Sequence, residues 1–162
     1  MTTAEALEGI TDAGMYEILA TRSLRELEPS CRAVAHFGVN AQGKTITNPV
    51  DGFCLVPGSS PNRYVMTAFA TTSRDALERK WLFDHAKSPK AKKATAADDG
   101  DLIKAAREAA TIRANNPKAS FCVYLCTNQR IDTAIMSSVY AAADRLGVTA
   151  EFLDQSRLIL QR

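Results

Sequence analysis

Three side chains in this sequence could do chemistry together: Glu17, Asp51 and Lys80. Two carboxylates are natural ligands for a hard cation such as Mg²⁺, or Mn²⁺ in its place, because such ions prefer carboxylate, carbonyl and water oxygens. A lysine beside them can stabilise the negative charge that grows on a phosphoryl group, or orient a water. Hydrolysis of a phosphodiester at neutral pH needs that combination, since the ion polarises the phosphate and acidifies a water. These residue types are compatible with such chemistry and by themselves assign no role to any of the three. Each has a plainer reading that stays open: Pro49-Val50-Asp51-Gly52 is also a turn composition, and most charged residues on helices are simply solvated.

These residues need elements to hold them. The pattern predicts a helix over 12–28, capped by Thr11 or Asp12 and ended by Pro29. Tyr16, Ala20, Leu24 and Leu27 form its apolar stripe. Glu17 lies about 20° from Leu24 on the helical wheel, at the edge of the inward face. Three strand-like runs follow, 33–39, 51–56 and 63–71, joined by turn-forming stretches that imply an antiparallel meander. Asp51 opens the second of these runs. Residues 73–84 read as a helix with Ser73 as N-cap and with Leu77 and Trp81 on one face. A Lys- and Ala-rich stretch without periodicity comes next and reads as a mobile loop. A helix over 99–115 follows, whose Ala105, Ala106, Ala109 and Ala110 would allow close approach to a sheet. The apolar run 120–127 predicts a buried strand with parallel neighbours. Asp132 caps a last helix, with Ile135, Val139, Ala142 and Leu146 spaced for burial and Gly147 closing it, before a final strand over 148–153.

Composition bounds the rest. A chain of 162 residues, 46% hydrophobic and 23% charged, suits one α/β domain, with no repeat and no second unit. No apolar run approaches the length of a membrane span, and the acidic N-terminus does not resemble a secretory signal, so we expect a cytoplasmic protein without membrane partners. The net charge of +2 is too small to indicate nucleic-acid binding by itself. Lys87, Lys90, Lys92 and Lys93 nevertheless cluster in the loop, where they either grip a phosphate backbone or form a solvated linker. The four cysteines, Cys31, Cys54, Cys122 and Cys126, lack metal-ligand spacing and read as buried free thiols. His36 reads as a packing residue and Gln129 as a turn residue. Phosphate-loop, dinucleotide and zincin motifs are absent.

The order α-β-β-β-α-α-β-α-β, with Asp51 opening the second strand and Glu17 on the first helix, resembles the PD-(D/E)XK nuclease superfamily, closest to its Mrr-like restriction endonucleases. The stretch from FCVYLCTNQ to VTAEFLDQSRL is similar to their C-terminal half. P-V-D-G followed later by K-W-L also resembles domains at the N-termini of large bacterial anti-phage proteins that couple a nuclease-like effector to an NTPase. The resemblance implies a restriction-endonuclease-like mixed sheet flanked by helices, Mg²⁺ or Mn²⁺ at Asp51 and Glu17, and double-stranded DNA as substrate. It also implies NTPase or sensor domains in the same longer protein, and a homo-oligomer when active.

The sequence departs from the family at the third strand, where Glu or Gln, any residue, then Lys is the pattern. MTAFATT carries neither a carboxylate nor a lysine. Glu78-Arg79-Lys80 matches literally, but in a helix residues two apart point about 200° apart, so the pair cannot serve one site. Lys80 reaching back alone, or Thr71 and Thr72 supplying oxygens, are the remaining substitutes. The expected function is a metal-dependent DNA endonuclease of phage defence. The alternatives are a degenerate nuclease-fold module for DNA binding or assembly, and an unrelated α/β binding domain whose Asp51 is only a turn residue.

Overall fold

The computed structural model describes residues 1–36, 50–88 and 93–160. These form a mixed α/β fold with an open mixed sheet flanked by helices on both faces. The helices are α1 (Thr3–Glu8), α2 (Ala13–Leu27), α3 (Leu77–Leu82), α4 (Asp101–Asn115), α5 (Thr133–Leu146) and α6 (Gln155–Leu160). The strands are β1 (Ala35–His36), β2 (Gly52–Leu55), β3 (Arg63–Ala70), β4 (Ser120–Thr127) and β5 (Thr149–Leu153), in spatial order β1-β2-β3-β4-β5.

The strands β1, β2 and β3 pair antiparallel, whereas β4 runs parallel to both β3 and β5. The expected combination of a meander beside parallel strands is therefore present. β3 and β4 pair from Arg63↔Ser120 to Ala70↔Thr127 and form the spine of the sheet. Alternation on β3 feeds two cores. Met66, Ala68 and Ala70 face α3, α4 and α5, while Val65 and Phe69 face Tyr16, Ala20 and Leu24 of α2. Phe53, Tyr64 and Phe121 stack across β2, β3 and β4 at centroid spacings of 5.4 and 5.3 Å.

Local signals explain most boundaries. Asp12 and Asp132 cap α2 and α5 by accepting the N–H groups of Met15 and Ile135. Gly147 ends α5 at φ 73°, the left-handed region where a Cβ is penalised. As expected, α2 stops before Pro29, which starts a 3₁₀ turn, Pro29–Cys31. Several expectations need correction. α1 and α6 lie outside the periodic segments that predict helices, and each is only six residues long. The expected 73–84 helix is a 3₁₀ turn, Arg74–Ala76, followed by α3, and Ser73 makes no side-chain cap. Leu27 and Ala110 are exposed rather than part of the packed faces. Much of the expected 33–39 strand lies outside the described residues. Within the expected loop, two 3₁₀ turns are hydrogen-bonded, His85–Lys87 capped by Asp84 and Ala96–Asp98 closed by a Thr95–Asp98 capping box. Apolar periodicity cannot register turns this short. No helix among the described residues is long and apolar enough to cross a membrane.

Candidate active site

Pairing between β2 and β3 stops at Gly52↔Thr67, while β3 stays paired with β4 through Ala68, Phe69 and Ala70. Asp51 sits where the β2 pairing ends. Its backbone N–H donates to Thr67 O at 2.9 Å, and its Oδ2 accepts the Phe69 N–H at 2.8 Å. The side chain thus accepts a β3 backbone N–H, and the same bonds fix the carboxylate against the strand.

A cleft of about 380 Å³ opens here, between the helices on the two faces of the sheet. α2 contributes Tyr16 and the half-buried Glu17, α3 contributes Lys80, and α4 contributes Asp101 and Lys104. The end of β3 supplies Ala68, Ala70, Thr71 and Thr72. Glu17, Asp51 and Lys80, chosen from sequence, therefore line one cavity, as do the two threonines. Lys80 lines the cleft from α3, with Nζ 3.5 Å from Asp101 Oδ1. Glu78 is exposed and does not line the cleft, while Arg79 stacks over Phe83 at 4.1 Å, so Glu78-Arg79-Lys80 is not a motif in space.

Asp101 and Lys104 escaped the sequence reading. They sit one turn apart on one face of α4, but their meeting with Lys80 is a tertiary contact that no local pattern announces. The packing at Gly100 makes it possible. A Cβ there would overlap the backbone of Trp81 and Leu82, and the Gly100 N–H donates to Phe83 O at 2.7 Å. Glycine thus lets the start of α4 abut the end of α3. The Asp101 side chain is 13% exposed, with Oδ1 3.5 Å from Lys80 Nζ and Oδ2 buried without a hydrogen-bond partner. Burial pushes its carboxyl up to about 6. Lys80 and Lys104 pull it down and Asp51 adds to the rise.

The donor set suits a hard divalent cation: carboxylate oxygens without a thiol or imidazole, and one buried oxygen lacking a partner. The three carboxylates do not all converge within 4.8 Å of one another. Mg²⁺ does not require that, because it keeps several waters and needs only one or two carboxylates. Two lysines beside the acids could engage the oxygens of a phosphate.

A second acidic group, Asp84, His85 and Asp99, is the cluster among the described residues whose potential ligand atoms all lie within 4.8 Å, and it could hold a metal ion. Its carboxylate is already engaged. Asp99 is buried, accepts the His85 N–H at 2.8 Å, lies 2.8 Å from His85 Nδ1, and pairs with Arg107. Burial opposes its ionisation, yet Arg107 and His85 outweigh that and hold the carboxyl at about 2. An ion bound through Oδ1 would compete with the His85 contacts, whereas Arg107 sits on Oδ2.

The remaining candidates are placed elsewhere. Lys87 and Lys93 are exposed, and Lys90 and Lys92 lie outside the described residues. Gln129 is a turn residue: its N–H donates to Thr127 Oγ1, and its carbonyl accepts the Gln155 N–H. Cys31, Cys54 and Cys126 are buried free thiols, and burial pushes Cys31 up to about 12, too high for a nucleophile. Comparison of the chain with known protein families, with curated proteins and with solved structures gave no match.

Proposed function

We propose that this protein is a divalent-metal-dependent DNA endonuclease of restriction-endonuclease-like architecture, with its site in the cleft of Glu17, Asp51 and Lys80. The observation that carries the reading is their convergence: residues from α2, the edge of β2 and α3 line one cavity at the C-terminal end of β3. Asp51 and Glu17 would hold Mg²⁺ or Mn²⁺, which when bound supplies Lewis-acid activation of a phosphodiester and of water. Lys80 would pair with a phosphate oxygen and steady the charge that develops on it. Phe69 N–H orients the Asp51 carboxylate. Double-stranded DNA as substrate, a role as effector of a larger anti-phage protein with NTPase or sensor domains, and self-association on activation rest on the resemblance alone.

A specific observation favours the alternative, a non-cutting module of the same fold. Ala68 and Ala70 stand on the strand end where the family places its acid and lysine, and Asp51 already has a structural task at the strand edge. Cleavage decides between them. Plasmid and linear DNA incubated with Mg²⁺ or Mn²⁺ should be cut by the wild type. Asp51→Asn and Lys80→Met should each lower the rate on the order of 10²-fold or more, the scale of losing one electrostatic stabiliser. Wild-type protein that binds DNA without cutting it would favour the non-catalytic module.

A further inference from the structure

We propose that Asp101 on α4 and Lys80 on α3 replace, in space, the acid and the lysine that β3 lacks, and that Asp101 joins Asp51 as a ligand of the divalent cation. This inference rests on the endonuclease reading and assigns that site a residue outside the familiar pattern.

Four observations converge. Ala68 and Ala70 carry only methyl groups and Phe69 only a hydrocarbon ring where β3 lines the cleft, so side chains able to hold an ion must come from elsewhere. Both alanine side chains point to the face of the sheet covered by α3 and α4, the helices that carry Lys80 and Asp101. Gly100 sets the beginning of α4 directly against α3, which brings Asp101 to the cleft. Finally, the Asp101 carboxylate is badly served as a purely structural group. One oxygen is buried without a partner, and the other faces a lysine at 3.5 Å whose side chain is 42% exposed. Such a loose, solvent-screened ion pair does not compensate the burial of a carboxylate. A cation in the cleft would satisfy the buried oxygen and relieve the mutual repulsion of Asp51 and Asp101. Lys80 would then be released toward a phosphate.

Binding of Mn²⁺ alone to the full chain, followed by calorimetry and by electron paramagnetic resonance of the free ion, tests this without relying on cleavage. Asp101→Asn should weaken Mn²⁺ binding roughly 10-fold or more, comparably to Asp51→Asn. Lys80→Met removes a competing cation and should tighten Mn²⁺ binding severalfold while abolishing cleavage, a pattern that a merely structural lysine would not give. If Asp51→Asn loses Mn²⁺ but Asp101→Asn binds like the wild type, this proposal fails and the endonuclease reading stands. If the wild type binds no Mn²⁺ at millimolar concentration, both fall. Should Asp101→Asn not fold, the exposed Lys80 substitution decides, and unchanged Mn²⁺ affinity there overturns the proposal.

Discussion

Asp99 and Asp101 are two residues apart and electrostatically opposite. Asp99 is buried with Arg107 and His85 around it, and its carboxyl is held at about 2. Its folded value lies below the unfolded one, so its stabilisation is present above the unfolded value and is lost as pH falls through about 2. Asp101 is buried with poor compensation and is raised to about 6. Relative to low pH it costs stability, a cost that develops between the unfolded value of 3.8 and the folded value. Urea unfolding of the metal-free protein should separate the two. Asp99→Asn should lose about 2 kcal/mol of pH-dependent stability at neutrality, with the deficit shrinking below about pH 3. The stability of Asp101→Asn relative to wild type should improve by about 3 kcal/mol between pH 4 and pH 7.5. Parallel pH profiles for both variants would show that their environments have been misassigned.

At the level of elements, the cleft depends on how α4 meets α3, and Gly100 controls that meeting. Gly100→Ala would drive a Cβ into the main chain of Trp81 and Leu82, which cannot yield as a flexible side chain would. Overpacking of this kind typically costs about 1–3 kcal/mol, roughly 2–12 °C of melting temperature for a domain of this size. It should also separate Asp101 from Lys80 and weaken Mn²⁺ binding. Gly147→Ala is the control, since Gly147 sits at φ 73° and does not line the cleft. It should cost about 1 kcal/mol and leave Mn²⁺ affinity unchanged. Equal Mn²⁺ loss in both would mean that general destabilisation, not cleft geometry, governs binding.

The same elements explain what was legible beforehand. α2, α5 and β4 are long or strongly patterned, with Asp12, Asp132 and Gly147 as punctuation, and each lies close to its expected limits. Glu17 was legible because one helical wheel sets its direction, and Asp51 because it opens a strand after Pro49. Short elements carry too few residues to show a period, which hid α1, α6 and the 3₁₀ turns. Asp101 was hidden for a different reason. Its significance comes from contact with Lys80 and proximity to Asp51, both distant along the chain, and from a backbone approach at Gly100 that composition does not reveal.

For the whole molecule, groups from both covering layers meet in the cleft where pairing between β2 and β3 ends. Asp51 stands at that point. The Asp84, His85 and Asp99 group lies apart from this cleft, on the segment between α3 and α4, where Arg107 pairs with the buried Asp99 carboxylate and His85 hydrogen-bonds it. The two places therefore compete as the home of a divalent ion, and the cleft is the one proposed to hold it. Anomalous diffraction from crystals of the wild-type protein grown with Mn²⁺ separates them directly. The account predicts one strong peak in the cleft, at a metal–oxygen distance of roughly 2.1–2.2 Å from the Asp51 carboxylate, with Asp101 or Glu17 completing the protein ligands. A peak at Asp84, His85 and Asp99, with the cleft holding only water, would contradict it.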